Sequence, residues 1–522
     1  MVKFNNPKFY HSTMDKNADI APEKLRKLGE LQDQGIDTYP YSFLHTHHAK
    51  DILEKYKDLE PEHGSDDRVS VAGRIMLLRS MGKLSFLQLY DETGKIQLYC
   101  EDATMENYKL LKKLDLGDIV GVEGTIYRTK LGEISVKVHS LHILCKSLRQ
   151  MPEKYHGLQD VELRYRQRYL DLIINPEVKQ VFQKRTAIIS AIREFMNNHG
   201  FMEVETPILQ TIYGGAEARP FITHINEWDM KMYLSISPEL YLKRLLVGGY
   251  EKVYTICKNF RNEGADKTHN PEFTMMEFYQ AYVDYNEMMR LTEELYEFVA
   301  KKVLGRTTIN YEGKEIELKA PWKRMTVNQC LKKFADIDVE ILSDEELEHM
   351  LSVYSVHLED TFSRGVAIAK LFEELCESKL IQPTFVIDYP KEITPLCKQK
   401  RGNDSLIEKT EPYINGWEIG NGYSELNDPL LQKKLLEEQA QKLRGGAELA
   451  SPMDEDFVKA IEYGMPPAGG MGVGIDRMVI LLTEQPSLRD VILFPTMKPE
   501  KSVEEQEKKV KKELKKSLKR PE

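Results

Sequence analysis

The sequence predicts an α+β protein, with a small five-stranded β-barrel near its N-terminus and a larger unit of strands and helices behind it. A chain of 522 residues is too long for one hydrophobic core, so two or more domains are expected. Short strand-like runs fill residues 68–144, whereas strand-like and helix-period runs alternate further on. Within the larger unit, residues 252–282 form two strand-like runs around a long charged loop, which predicts an antiparallel hairpin.

The composition excludes several classes of protein. A hydrophobic share of 41% with 30% charged residues is ordinary for a globular protein, and no apolar run has the length of a membrane span. The six cysteines include no CxxC pair, which indicates a reducing compartment, no structural zinc and no disulfide framework. With no signal-peptide core at the start, we expect a cytoplasmic protein. The net charge of -10 gives no indication of nucleic acid, so such a partner would have to meet a local basic surface.

Residues 1–65 are predicted to be a polar N-terminal extension with two helices, at 22–34 and 49–57. Within it, His45, His47 and His48 cluster, which could indicate a metal site. The cluster lacks ligand spacing and a Cys or Asp partner, and this favours a solvated helix start instead.

Residues 66–146 are predicted to form an OB-type barrel, because three strands, a helical segment and two strands follow one another there. If Leu87 and Leu89 fill the barrel, then Phe86 lies outside, where a nucleic-acid base could stack on it. Alternation alone slightly favours the other interpretation, in which Phe86 is a core residue. Arg79 and Gln97 lie on neighbouring strands and could hydrogen-bond to base edges.

The segment 147–175 is predicted to be a linker ending in a helix, and residues 176–498 to form the larger unit of strands and helices. An amphipathic helix is predicted from Pro176 to His199, followed by a strand that ends at Pro207. A proline at that point fits a sheet edge or a subunit boundary. Further on we expect a helical insertion around residues 320–385. Residues 499–522 form a charged tail, interpreted as a solvated helix, with an RNA contact as the minority alternative.

The predicted hairpin places four side chains of its second strand on one face, because residues two apart in a strand share a face. These are Phe273, Met275, Glu277 and Tyr279. With Arg261 and His269 above them, they could be the floor for a flat charged ligand such as a nucleotide. The alternative is a half-exposed strand with ordinary surface charges, and these residues alone do not decide between the two.

Three glutamates stand seven apart, at Glu411, Glu418 and Glu425. A carboxylate cluster in a nucleotide site needs a counter-charge, most simply magnesium that bridges phosphates. Strand parity places Glu418 opposite Glu425, so we expect a bulge at Gly420 if both are to reach one site. The alternative is a row of solvent-facing carboxylates, which the flanking apolar residues disfavour.

A glycine-rich run, residues 469–474, leads to Arg477 at the start of an apolar helix. Glycines allow one backbone to approach another, or a ligand, closely. The run contains neither the GxxxxGK[ST] pattern of a P-loop nor the GxGxxG spacing of a dinucleotide site, so on its own it is weak evidence of a nucleotide.

Together, three of these segments resemble motifs 1, 2 and 3 of the class II aminoacyl-tRNA synthetases. They are the helix and strand ending at Pro207, the hairpin with Phe260-Arg-Asn-Glu263, and the glycine run ending at Arg477. A barrel before the catalytic unit points to the subgroup for aspartate, asparagine and lysine. Residues 268–274 (THNPEFT), 276–282 (MEFYQAY) and 421–428 (NGYSELND) are similar to the lysyl-tRNA synthetases within it. The resemblance covers roughly residues 20–498, and the class I signatures HIGH and KMSKS are absent.

The resemblance implies a class II catalytic domain built on an antiparallel sheet flanked by helices, and a role for each matching residue. Arg261 and Arg477 would be catalytic. The ATP-binding set would be Arg261, Glu263, His269, Asn270, Phe273, Gly474 and Arg477. The lysine-binding set would be Gly215, Glu239, Arg261, Glu277, Tyr279, Asn421, Tyr423 and Glu425. Glu411 and Glu418 would carry magnesium, and Arg79, Phe86 and Gln97 would contact the anticodon, which moves Phe86 to the outside of the barrel.

The implied activity is activation of L-lysine by ATP to lysyl-adenylate, with Mg²⁺ and without zinc, and transfer of the lysyl group to the 3′ end of tRNA(Lys). A homodimer through the region around Pro207 is also implied. The basic N-terminal extension of many eukaryotic members is missing, since only Lys3, Lys8 and Lys16 precede residue 20.

Three other functions agree less well with the sequence. Glu425 and Tyr279 disfavour specificity for aspartate or asparagine. A buried side-chain ammonium needs an anionic partner such as Glu425, whereas the side chain of aspartate or asparagine would need a cation or an amide there. Lysylation of a protein is disfavoured by the barrel. A non-enzymatic RNA-binding relative would be expected to have lost a motif arginine or a metal glutamate, and none is lost.

Overall fold

The computed structural model describes residues 20–152, 158–358, 362–444 and 452–499. The chain divides into two compact units between residues 157 and 158. Lys3, Lys8 and Lys16 lie outside the described residues, as does the charged tail beyond residue 499. No helix in the described part of the chain has the length and apolarity to cross a membrane.

The first unit is a closed five-stranded barrel preceded by two short helices. The helices are α1 (Pro22–Asp33) and α2 (Ala49–Lys55). The strands are β1 (Gly64–Met81), β2 (Leu84–Tyr90), β3 (Lys95–Glu101), β4 (Ile119–Arg128) and β5 (Ile134–Cys145). A 3₁₀ helix, Tyr108–Lys113, lies between β3 and β4, where the sequence predicts a helical segment.

The long strand β1 pairs with both β2 and β4, which closes the barrel in the order β1-β2-β3-β5-β4. The predicted OB-type barrel is therefore confirmed. Its interior is filled by alternate apolar side chains, among them Leu87, Leu89 and Leu98, which are fully buried. His48 is the N-cap of α2 and forms a capping box with Asp51, which agrees with the helix-start interpretation of the histidine cluster.

The second unit is built on a large, mainly antiparallel sheet. Its first helices are α3 (Val161–Arg166), α4 (Arg168–Ile174), α5 (Glu177–Asn198), α6 (Glu239–Val247) and α7 (Tyr285–Leu304). The later ones are α8 (Val327–Ala335), α9 (Asp344–Val353), α10 (Arg364–Cys376), α11 (Pro429–Arg444), α12 (Glu455–Glu462), α13 (Ile475–Thr483) and α14 (Leu488–Val491).

Its strands fall into one large and two small sheets. In chain order they begin with β6 (Met202–Glu203), β7 (Leu209–Gln210), β8 (Ile222–Ile225), β9 (Met230–Leu234), β10 (Lys252–Phe260), β11 (Glu272–Ala281), β12 (Thr308–Tyr311) and β13 (Lys314–Glu317). They continue with β14 (Lys323–Thr326), β15 (Thr384–Pro390), β16 (Gln399–Lys400), β17 (Asn403–Ile414), β18 (Trp417–Glu418), β19 (Gly420–Ser424) and β20 (Ala468–Gly474).

The large sheet runs in the order β14-β15-β17-β19-β20-β11-β10-β6, with β16 and β18 paired to β17. Only the outermost strand pair at each edge of the sheet is parallel, β14 with β15 and β6 with β10. The region around residues 320–385, expected as a helical insertion, begins with the edge strand β14 and returns through α8, α9 and α10 to β15. The helices lie on both faces of the sheet, which confirms the predicted fold class.

The hairpin of β10 and β11 is paired in register along its whole length, with Thr255 opposite Glu277. The alternation predicted for β11 is found. Met276 and Phe278 are buried in a hydrophobic core on one side of the sheet, together with residues of α5, α7 and α13. Glu277 and Tyr279 therefore face the opposite side, where α6 packs on the sheet.

Candidate active site

A cavity of about 380 Å³ lies on that second face, over β11, β19 and β20 and beside the start of α6. It is lined by fourteen of the residues that the sequence predicts for the ATP and lysine sites and for magnesium. They are Gly215, Glu239, Arg261, Glu263, His269, Asn270, Phe273, Glu277, Tyr279, Glu418, Asn421, Tyr423, Gly474 and Arg477. Glu411 and Glu425 are not among the lining residues: Glu425 is fully buried and Glu411 is partly buried. Arg79, Phe86 and Gln97 belong to the barrel, in the other unit.

The glycines of β20 leave room for the side chains of the neighbouring strands. A Cβ atom built on Gly470 would lie 2.2 Å from Oε1 of Glu425 and 2.3 Å from the Tyr279 ring. Any larger residue would displace both groups. The glycine run thus shapes one end of the cavity by close approach of backbone and side chains.

A bulge lies where the sequence predicts one, between β18 and β19. Tyr413 pairs with Glu418, and Thr410 pairs with Gly422, so three residue steps along β17 face four along β18 and β19. The extra residue falls in the segment 419–421, which contains Gly420. It brings Glu418 and Asn421 to the same cavity although strict alternation would separate them.

At one end of the cavity, buried charges of opposite sign are paired. Glu425 is fully buried, and its Oε2 lies 2.5 Å from Nζ of Lys243. The same Nζ lies 2.6 Å from Oε1 of Glu239. Oε1 of Glu425 has no hydrogen-bond partner among the described residues. A buried carboxylate oxygen left without a donor is costly, so this oxygen is a strong candidate for binding a cationic ligand.

Glu277 lies beside this pair and is held from two directions. It accepts hydrogen bonds from the Ser237 hydroxyl at 2.8 Å and from the Tyr279 hydroxyl at 3.0 Å. Burial, followed by the charge of Glu239, raises the pKa of Glu277 to about 8. Burial likewise raises the pKa of Glu425 to about 8, although Lys243 opposes the shift. Three buried carboxyl groups, those of Glu239, Glu277 and Glu425, thus lie together at one end of the cavity.

The other end of the cavity is more open. The guanidinium carbon of Arg261 lies 5.1 Å from the centroid of the Phe273 ring, a cation–π contact. Arg477 lies 3.7 Å from the carboxylate of Glu418 and donates a hydrogen bond to the Glu418 carbonyl. His269 is 52% exposed and contacts Asp266 at 3.0 Å.

Around these side chains, the hairpin loop is held by its own hydrogen bonds. Partial burial acts to raise the pKa of Asp266. Hydrogen bonds from the backbone N–H groups of Thr268 and His269 outweigh it and lower that pKa to about 2. The Asn270 amide donates to the Glu272 carbonyl and accepts from the Thr496 N–H, so Asn270 fixes the backbone at the rim of the cavity. Glu263 is exposed in the same loop.

The proposed magnesium ligands differ from one another in their surroundings. Glu411 accepts hydrogen bonds from Tyr389 at 2.5 Å and Tyr413 at 2.8 Å and forms an ion pair with Lys409. Burial opposes its ionisation, but Lys409 and the two hydroxyls lower the pKa of Glu411. Glu418 keeps 42% of its side chain exposed and lines the cavity.

This donor set fits a magnesium ion that is held mainly by substrate phosphates. Mg²⁺ in nucleotide sites commonly takes one or two carboxylates, with phosphate oxygens and water for the rest. Glu418 is open to such an ion, whereas Glu411 would have to exchange part of its contact with Lys409. Within the described residues, no group of three or more His, Cys, Asp or Glu side chains that could hold a metal ion is found.

In the barrel, the predicted anticodon residues lie on its outer face. Phe86 is half-buried between the fully buried Leu87 and Ser85, and pairs with Arg79 on one side and Tyr99 on the other. Its ring meets that of Tyr99 edge-on, with 5.6 Å between centroids. The outside interpretation of Phe86 therefore holds. Gln97 donates to the Ser135 hydroxyl at 3.0 Å.

Comparisons with known proteins agree with this geometry. Residues 160–498 match the class II tRNA synthetases for D, K and N, and residues 69–144 match an OB-fold nucleic acid binding domain. A lysine–tRNA ligase of Pelotomaculum thermopropionicum is 53% identical over 487 residues, which cover 92% of this chain and 95% of the relative. The chain belongs to the lysine–tRNA ligase family.

Two other members of the family, from Clostridium novyi and Moorella thermoacetica, are 51% and 50% identical over 489 residues each. These matches cover 92% and 93% of this chain and 95% and 99% of the relatives. The predicted resemblance to class II synthetases of the lysine type is confirmed.

Sequence reasoning missed three side chains of this site. They are Ser237, Lys243 and Lys409. The sequence contains one indication of the role of Lys243. Glu239 and Lys243 stand four residues apart, a spacing that places two side chains on one face of a helix such as α6. No local pattern indicates that the same lysine meets Glu425, because that contact depends on strand order.

The segment around Pro207 lies at the sheet edge, where β6 is only two residues long and parallel to β10. Pro207 is exposed, and its apolar neighbours Ile208 and Leu209 are 44% and 48% exposed. Its role as a subunit boundary stays a prediction.

Proposed function

We propose that this protein activates L-lysine with ATP and transfers the lysyl group to the 3′ end of tRNA(Lys). The observation that carries the proposal is the unpartnered Oε1 of Glu425, fully buried at the charged end of a cavity whose other end carries Phe273, Arg261 and Arg477. A long substrate with a terminal ammonium satisfies that oxygen, and its carboxylate then lies toward the arginines. Family membership supports the same conclusion.

In the first step, a carboxylate oxygen of lysine attacks the α-phosphorus of ATP, and pyrophosphate leaves. Arg261 stabilises the charge that builds on the α-phosphate and orients the lysine carboxylate. Phe273 supports the adenine ring, and Arg477 neutralises the leaving phosphates once it turns from Glu418. The α-ammonium is held by Glu239 and the Gly215 backbone, and the ε-ammonium by Glu425 and the Tyr279 hydroxyl. Asn421 and Tyr423 complete the wall.

Glu411 and Glu418 would hold magnesium, which would supply a Lewis acid on the phosphates. In the second step, the terminal ribose hydroxyl of tRNA attacks the lysyl carbonyl, and AMP leaves. The chain provides positioning and charge neutralisation in both steps, and neither step uses a side-chain nucleophile.

Specificity for aspartate or asparagine is the nearest alternative. Their side chains would meet Glu425 and Glu277 with a carboxylate or a neutral amide, leaving the surplus negative charge uncompensated. The deciding measurement is ATP–pyrophosphate exchange with each of the twenty amino acids. We expect lysine alone to support exchange well above background; exchange with aspartate or asparagine and not lysine would reject the proposal.

We propose that the barrel, residues 66–146, binds the anticodon through Arg79, Phe86 and Gln97. Phe86→Ala is expected to raise the KM for tRNA(Lys) in aminoacylation about tenfold, since base stacking on an aromatic ring is worth ~1–3 kcal/mol. Pyrophosphate exchange, which needs no tRNA, is expected to stay unchanged. Leu131→Ala, at an exposed turn of the barrel, is the control. Equal charging by both variants would remove Phe86 from the interface.

The remaining parts of the proposal concern organisation. We propose a catalytic domain over residues 176–498, joined to the barrel through 147–175, and a cytoplasmic homodimer formed through the exposed segment around Pro207. Sedimentation of the wild type against Leu209→Glu tests the dimer, which a charge in an apolar interface is expected to dissociate.

A further inference from the structure

None of the proposed substrate contacts explains Lys243, the buried cation of the charged end. It lies on α6, one helical turn after Glu239, and is fully buried. Its ammonium bridges two carboxylates from different parts of the chain, Glu239 at 2.6 Å and Glu425 at 2.5 Å. It also lies 5.9 Å from the centroid of the Tyr423 ring. A buried lysine with two acidic partners fixes both of them in space.

The charges at this end can be counted. Two buried carboxylates, Glu239 and Glu425, contact one ammonium, that of Lys243, and a third, Glu277, interacts electrostatically with both of these carboxylates. When all are ionised, the group carries two net negative charges. Lysine brings two ammonium groups, while its carboxylate is matched by Arg261. The pocket and the substrate are therefore complementary in charge only when Lys243 is present.

We propose that Lys243 is a positioning residue that sets lysine specificity, holding Glu239 and Glu425 apart at the two ammonium sites and cancelling the third carboxylate charge of the pocket. The inference rests on the proposed function. It assigns Lys243 no contact with the substrate.

Titration of the cluster supports this role. Burial opposes the charge of Lys243, but its two carboxylate partners raise its pKa, so Lys243 stays charged. Burial raises the pKa of both Glu277 and Glu425 to about 8. Lys243 lowers the pKa of Glu239 and of Glu425, so without Lys243 these two carboxylates would hold protons more tightly still, and binding of the substrate lysine would have to expel them.

Other titratable or charged groups that act on the cluster are Tyr279, Tyr423, Cys257, Cys397 and Arg261. Burial, with the nearby carboxylates, raises the pKa of both phenols and of both thiols above their usual values, so these four stay neutral between pH 7 and 9. Protons exchanged on lysine binding there therefore come from the carboxylates.

The test compares the full-length wild type with Lys243→Met and Lys243→Gln. The second variant keeps a hydrogen-bond donor but no charge, so it remains informative if the methionine variant fails to fold. Lysine KM in pyrophosphate exchange is measured from pH 7 to 9, with ATP KM alongside. Arg244→Met is the matched control, because Arg244 is next on the helix and loses a bidentate pair with Asp454 at 2.9 Å.

Both Lys243 variants are expected to raise lysine KM at least about tenfold at pH 7, since each unit of added carboxyl pKa costs about a factor of ten. The defect is expected to shrink to about threefold at pH 9, where the carboxylates ionise again, while ATP KM stays within about twofold. Arg244→Met is expected to lower thermal stability without changing lysine KM.

An unchanged lysine KM in both variants overturns the inference. So does a KM raised by the same factor at every pH, which is the mark of a purely structural defect. The proposed function, as distinct from the role of Lys243, is rejected if the wild type gives no lysine-dependent pyrophosphate exchange. In that case calorimetric titration of lysine, in buffers of different ionisation enthalpy, still compares proton release between wild type and Lys243→Gln.

Discussion

The two ends of the cavity differ in how their charges are held. At the proposed lysine end, Glu239, Lys243 and Glu425 are almost completely buried and already paired. At the proposed nucleotide end, His269 is half exposed and Arg477 lies on Glu418. A buried, prepaired site discriminates between side chains because every mismatch leaves a buried group uncompensated. An open site lined by arginines suits phosphates, which bring their own charge and hydration.

The comparison is tested most severely at Arg261, which lies on Phe273 at the open end but whose charge also acts on Glu277 at the buried end. Arg261→Ala is expected to reduce lysine-dependent pyrophosphate exchange by about 10³-fold, since removing one preorganised donor to a developing charge costs about 10²–10³. The exposed Arg290→Ala is the control. Wild-type exchange by Arg261→Ala would contradict the mechanism.

Glu425→Gln tests the lysine end alone. Breaking a buried ion pair costs about 3–5 kcal/mol, so kcat/KM for lysine is expected to fall by about 10²–10⁴. ATP KM is expected to stay within about twofold, because no nucleotide contact is changed. If ATP KM rises as much as lysine KM, the two ends do not act separately.

Phe273→Ala tests the nucleotide end. Loss of base stacking, worth ~1–3 kcal/mol, is expected to raise ATP KM by about thirtyfold with little change in lysine KM. Phe273→Tyr keeps a ring and serves as the matched control. An ATP KM that is the same in both variants would exclude stacking on this residue.

The smallest expected effect is the pH dependence of wild-type lysine binding. The pKa of Glu425 is raised to about 8, so this group holds a proton at pH 7 and must release it to bind the ε-ammonium. Lysine KM is therefore expected to fall by about five- to tenfold between pH 7 and 8.5. ATP KM, measured in the same assays, is expected to change much less. A lysine KM that rises over this range would contradict the assignment.

Much of this site follows from the sequence, because its governing patterns are local. Alternation in β11 sends Met276 and Phe278 to the core and Glu277 and Tyr279 to the cavity. The barrel follows from its strand pattern in the same way, and so does the bulge next to Gly420. Family motifs predicted the site residues that now line one cavity.

Only the tertiary structure decided which charges meet. Lys243 pairs with Glu425 because α6 packs on the face of the sheet where β11 and β20 lie beside β19. Glu411 is engaged by Lys409 and Tyr389, and Arg261 rests on Phe273. Periodicity assigns a side chain to a face, whereas the partner of a buried charge is set by strand order and helix packing, which bring together residues far apart in the chain.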